Sequence, residues 1–267
     1  MNHTLNAIPY TLTIGWLYPE LMSTYGDRGN IICLQKRCEW RGIQTQVKRL
    51  DLGFKMYDLR KCDFLFMGGA QDRQQKIVAN DLNKEKVKAL KELIEIGTPG
   101  LFICGAYQFL GKYYKEADGT IIKGLGILDL YTESPGENSR RLIGNISVRL
   151  NLSISHIVVS VPIPYRNHIG DVVGFENHGG RTYLGKNIEA LGTVLKGFGN
   201  NGKDKTEGAV YKNSFGSYLH GPILPKNPHF ADLLIKLALK NKYKRTIKLS
   251  ALEDSLEWQA HNQILKN

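Results

Sequence analysis

The chain has 267 residues, 42% hydrophobic and 23% charged, with a formal charge of +11. That apolar content can bury a sizeable core, which excludes a disordered chain, and no apolar run reaches the roughly 18 residues that a bilayer crossing needs. The positive charge is scattered over helical lysines (Lys84, Lys86, Lys88, Lys91) and a cluster at Lys236, Lys240, Lys242, Lys244 and Arg245 with no interleaved aromatics, a pattern that argues against nucleic acid.

In chain order, a short β-branched apolar run at 11–17 predicts a strand, and helical spacing over 30–40 ends at Gly42. A strand follows at 43–50, then an apolar run at 63–67 entering Gly68-Gly69, then a long polar helix over 73–96. Residues 100–104 read as a buried strand cut off by a turn, with a helix over 107–114. This alternation implies a mostly parallel sheet with helices on both faces. The second half changes character, with strand-like runs at 126–133, 142–150, 152–161, 172–176 and 209–218, so an antiparallel section should flank the core. Helices over 227–240 and 250–264 close the chain, and 197–202 reads as an exposed loop. The expected organisation is a tail at 1–10, an α/β domain over 11–241 and a helical extension over 242–267.

The cysteines at 33, 38, 62 and 104 have neither Cys-x-x-Cys spacing nor the density of a secreted scaffold, which suits a reducing compartment and gives no reason to expect a metal. With no basic-then-apolar leader at 1–10, a cytoplasmic location is expected. Phosphate-loop and dinucleotide patterns are missing from the sequence, so no cofactor is expected in this chain.

Cys104 ends an apolar strand and is followed by Gly105-Ala106 and a helix, the arrangement that lifts a nucleophile out of a sheet edge. A helix start favours a thiolate and offers N–H groups to an oxyanion. A buried structural cysteine would fit the same local pattern. The base could come from His220, before a Gly-Pro break, or from His178, with His220 preferred; His3, His229 and His261 read as surface positions, and His156 and His168 as structural ones.

Cys104-Gly-Ala-Tyr-Gln-Phe-Leu-Gly111 together with Tyr218-Leu-His-Gly-Pro-Ile-Leu-Pro225 resembles the cobyric-acid-synthase-like branch of class I glutamine amidotransferases, whose fold is flavodoxin-like. The segments at 17–30, 125–134 and 173–182 resemble the glutaminase subunits of lipid II isoglutaminyl synthases. The resemblance implies that L-glutamine is hydrolysed and its ammonia passed to a Mur-ligase-like, ATP-dependent partner subunit. That partner, carrying the ATP and metal, would convert D-glutamate of lipid II to D-isoglutamine at the inner face of the membrane; the basic cluster at 236–245 would then give this chain a peripheral contact with the anionic surface. It further implies Cys104 as nucleophile, His220 as base, and Gly69 and Gly105 as oxyanion donors. Gln108, Arg141 (with Arg140 beside it) and the Asn177-His178-Gly179 segment would meet the substrate. Class I enzymes often carry a glutamate two positions after the histidine, where this chain has Pro222. An acid from elsewhere in the chain or an aspartate lent by the partner is therefore expected, the latter making the isolated chain a weak glutaminase. Amidation of a corrinoid, or a scaffold subunit without turnover, are the alternative readings.

Overall fold

In the computed structural model, which describes residues 9–24, 26–151 and 170–266, strand β1 (Thr11–Leu17) is parallel to β2 (Gln44–Leu50) on one side and to β3 (Phe64–Met67) on the other. β4 (Gly100–Ile103) and β14 (Ser214–Ser217) continue the parallel set, and β13 (Ala209–Tyr211) closes it antiparallel, in the order β13-β14-β4-β3-β1-β2. Every residue of β3, β4 and β14 is buried, as strands covered on both faces must be. The order reverses between β1 and β3, so the crevice at their carboxyl ends is where a flavodoxin-like sheet binds ligands.

Helices α1 (Arg28–Glu39), α2 (Met56–Leu59), α3 (Asp72–Asp81), α4 (Lys84–Glu95), α5 (Gly105–Leu110), α6 (Pro228–Tyr243) and α7 (Ser255–Lys266) accompany this sheet. The helix expected over 73–96 is two helices. Asn83 restarts it, its side chain accepting the Lys86 N–H at 3.0 Å as an N-cap. The helix expected over 107–114 stops at Leu110, because the chain turns at Gly111, where any side chain would run into Leu130. Residues 113–115 then form a strand.

Two small sheets flank the core. One has the order β10 (Arg181–Leu184), β7 (Leu130–Glu133), β5 (Tyr113–Lys115), β6 (Ile121–Lys123); the other has β12 (Thr206–Glu207), β11 (Gly192–Lys196), β8 (Leu142–Leu150), β9 (Asp171–His178). The strand expected at 152–161, His3, His156 and His168 lie outside the described residues. The loop at 197–202 is not a free one: the buried Glu176 carboxylate accepts the N–H groups of Phe198 (2.7 Å) and Gly199 (2.9 Å), and Asn200 and Asn201 are buried.

Nor is 242–267 an appendage, since α6 runs past 241 and α7 buries Trp258 between the rings of His229 and His261, both centroids 5.0 Å away. His229 and His261 are therefore core residues rather than surface ones. Buried Arg37 of α1 pairs with Asp232 of α6 (2.8 Å) and with Asp254 before α7 (2.6 Å); Asp232 also holds Arg41 (2.7 Å), so removing Arg37 would strand Asp254 at a cost of about 3 kcal/mol.

One buried acid fixes the edge from which the site is built. Glu207 accepts the Ser217 hydroxyl (2.9 Å) and the Tyr218 N–H (2.7 Å), while the Ser217 carbonyl accepts the Cys104 N–H (2.8 Å). Burial raises the Glu207 carboxyl from 4.5 to about 7. Between those values the folded chain holds a proton that the unfolded chain has released, so this group makes stability fall as pH rises. Denaturant unfolding of Glu207→Gln from about pH 5 to about pH 8 should lose less stability than the parent chain loses. Parallel curves would contradict the assignment.

Candidate active site

Four neighbouring parallel strands, β1, β3, β4 and β14, deliver their carboxyl-end loops to one point, and each loop brings one functional group: Asp27, Gly69, Cys104 and His220. Cys104 sits between β4 and α5 with φ 52° and ψ −106°, a conformation L-residues rarely adopt. The turn is tight enough to demand small neighbours: a Cβ on Gly105 would lie 2.9 Å from both the nitrogen and the oxygen of Ala70. Cys104 remains 8% exposed, at the floor of a cleft of about 490 Å³.

His220 follows β14 and is 1% exposed. Its backbone is locked to Phe175 of β9 by two hydrogen bonds, His220 N to Phe175 O at 2.7 Å and the reverse at 3.2 Å. The ring lies close enough to Cys104 for their charges to couple, and Nδ1 lies 3.5 Å from Asp27 Oδ1. Burial disfavours its charge, but negative charge at Cys104 and the Asp27 carboxylate outweigh that and raise the imidazole well above its ordinary value. His178 is turned elsewhere. Its Nδ1 lies 2.9 Å from the Gly180 carbonyl and its Nε2 3.7 Å from Glu176, and the ring stacks on Tyr218 at 3.7 Å between centroids. Burial lowers it, which suits a neutral structural ring.

Gly69 lies between His220 and Cys104: a Cβ there would be 3.1 Å from His220 Cε1 and 3.4 Å from Cys104 Cβ. Its N–H is engaged, however. It donates to Asp27 Oδ2 at 2.7 Å, while Gly105 stands at the start of α5. Asp27 is the residue that sequence reasoning passed over. It stands in Gly26-Asp-Arg-Gly-Asn30, just beyond the first strand of a parallel sheet, and that position at a strand's carboxyl end was the available signal.

The cleft wall carries Gln108, Arg141, Asn177, His178 and Gly179, with Thr24, Arg73 and Gln75 as lining residues not anticipated from the sequence. Gln108 donates to the Tyr218 hydroxyl (3.0 Å) and accepts from Gln75 (3.4 Å), so its amide is oriented before any substrate arrives. Arg141 donates to the Asn177 side chain (2.9 Å) and carbonyl (3.0 Å), which aims the guanidinium along the cleft. Arg140 is not part of the wall and contributes its carbonyl to Arg181 at 2.7 Å. Among the described residues, no group of three or more His, Cys, Asp or Glu is arranged to hold a metal ion, and no helix is long and apolar enough to cross a membrane.

Residues 13–228 match the CobB/CobQ-like glutamine amidotransferase domain family. The chain is 44% identical over 233 residues to the GatD subunit of lipid II isoglutaminyl synthase (glutamine-hydrolyzing) of Staphylococcus aureus, covering 87% of this chain and 86% of that protein. It is 41% identical to the subunit of the same name of Streptococcus pneumoniae, covering 93% and 88%. A solved structure of the mmIFT52 N-terminal domain is alike in fold alone, at 12% identity and TM-score 0.51 over 89% of this chain and 100% of that one. With an α/β sheet of this order and a cysteine at its strand-to-helix turn, the chain belongs to the CobB/CobQ-like family of glutamine amidotransferases.

Proposed function

We propose that the chain hydrolyses L-glutamine to glutamate and ammonia with Cys104 as nucleophile and His220 as base. It delivers the ammonia to a Mur-ligase-like, ATP-dependent partner that amidates the D-glutamate of lipid II to D-isoglutamine. The observation that carries the hydrolytic step is the contact of Cys104, on its strained turn, with the buried His220 at the floor of a cleft large enough for an amino acid. The names of the two relatives support the acceptor and the partner, on which ATP and its metal would reside.

His220 takes the thiol proton and the sulfur attacks the side-chain amide carbon, forming a tetrahedral oxyanion that the Gly105 N–H meets. Gly69 can join as second donor only by exchanging Asp27 for the oxyanion. The imidazolium then protonates the departing ammonia, and water, deprotonated by the same ring, cleaves the γ-glutamyl thioester. Arg141 suits the substrate's α-carboxylate, because its planar fork binds two oxygens together. The gripped loop at 177–179 completes the recess.

Cys104→Ala should lower glutaminase turnover by at least ~10³-fold with the fold intact. In the complex with its partner the same variant should lose glutamine-driven amidation of lipid II and keep amidation driven by added ammonium salt. Retention of both activities, or loss of both, would contradict the assignment. Arg141→Ala should raise KM by about 30- to 100-fold, the loss of a charge-assisted bidentate contact, with kcat within ~10-fold. Steady-state kinetics in which kcat alone collapses would place Arg141 outside ground-state binding.

A further inference from the structure

A second recess, of about 620 Å³, is walled by the same helices as the catalytic cleft, α3 and α5, together with α4 and β6. Its floor is apolar: Phe109 and Ile122 are buried there, with Val87 and Leu125 half-buried beside them. None of its lining residues is acidic, and its charges are Lys76, Lys84 and Lys123. Lys76 is paired with Glu116 at 2.8 Å, whereas Lys84 and Lys123 are exposed and make no ion pair among the described residues. Lys84 continues along α4 into exposed Lys88 and Lys91, spaced as one helix face. Of the three acids of that helix, Glu92 is engaged by Arg60 (3.0 Å) and Glu95 by the Tyr211 hydroxyl (2.9 Å), which leaves Glu85.

The third wall is a strand edge. β6 ends its small sheet and pairs, among the described residues, with β5 alone. Successive side chains of a strand point to opposite faces, yet Ile121, Ile122 and Lys123 all line the recess, so it runs along the strand's unpaired edge. Ile121 stands 63% exposed there.

An apolar floor, a cationic rim and an open strand edge together fit an extended segment in which apolar and acidic side chains alternate. A second copy of this chain would bring another charge of +11 to that rim and be repelled. On α3, Arg73 lines the cleft and Lys76 the recess, three positions or ~4.5 Å of helix apart. A protein that covers the cleft to receive ammonia therefore reaches the recess as well.

We propose that the recess between α3, α4 and β6 docks an extended acidic and apolar segment of the ligase-like partner, added as a strand to β6. The inference rests on the partner reading above and assigns the place and the chemistry of the grip.

Calorimetric titration of the full chain with the partner subunit tests it. The double variant Lys84→Glu, Lys123→Glu should bind about 10-fold more weakly or worse and with a flatter dependence on salt, and Ile121→Asp should also weaken binding. Glutaminase activity of the isolated variants should equal that of the parent. Lys240→Glu, Lys244→Glu makes the same change of net charge elsewhere and should alter binding by less than ~3-fold. A photo-crosslinking residue at position 121 gives a readout independent of charge reversal: in the complex it should capture a partner peptide in which Asp or Glu alternates with apolar residues. Unchanged affinity in the recess variants, or capture of a basic peptide or of a second copy of this chain, would overturn the proposal. Equal weakening by the two double variants would reduce the effect to long-range attraction, again overturning it. So would lost binding to vesicles of anionic phospholipid with partner binding intact, which would make the recess a membrane contact. A parent chain that binds no ligase-like subunit at all is a separate failure, that of the partner reading itself.

Discussion

Cys104 is held at φ 52° and ψ −106°, a backbone strain of about 1–3 kcal/mol that persists only if its surroundings leave no alternative. They leave none. Its N–H is bonded to Ser217 of the adjoining strand, its carbonyl accepts the Gln108 N–H at 3.0 Å, and all six residues of the helix that follows are buried. The turn puts the thiol at the carboxyl edge of the sheet, where the loops after β1, β3 and β14 converge on it. Much else in the molecule serves that edge, from the buried Glu207 beneath Ser217 to the tether between His220 and Phe175.

Strands β1, β3 and β4 were legible because each is a short apolar run bounded by glycine or a turn, and burial leaves that mark in sequence. Cys104 and His220 were legible for a related reason: each stands where an apolar run meets Gly105 or Gly221. What escaped depended on tertiary packing. The break between α3 and α4 rests on a single asparagine cap, and β10, β11 and β12 are two to five residues long and held by neighbours. Gly69 stands beside Cys104 and His220, but its N–H is bonded to Asp27, which only the position of Asp27 reveals. Asp27 and His220 are nearly two hundred positions apart, and no local pattern connects them.

The net charge of +11 takes on a different meaning in three dimensions. Within the basic cluster at 236–245, Lys242 bonds Asp63 at 2.8 Å, Arg245 donates to the Tyr10 hydroxyl at 3.0 Å, and Lys236 is half-buried. Lys240, Lys244 and Arg245 remain exposed. The cluster thus divides between internal ties to β1 and to Asp63 before β3 and three exposed cations.

Hydrolysis by the proposed route requires a covalent bond to Cys104. Acid quench within the first turnover of glutamine, followed by mass spectrometry of the peptide containing Cys104, measures it directly. A γ-glutamyl adduct on Cys104 that forms no more slowly than glutamate is released is the predicted result. Glutamate release with no adduct there, at time points earlier than one turnover, would contradict it.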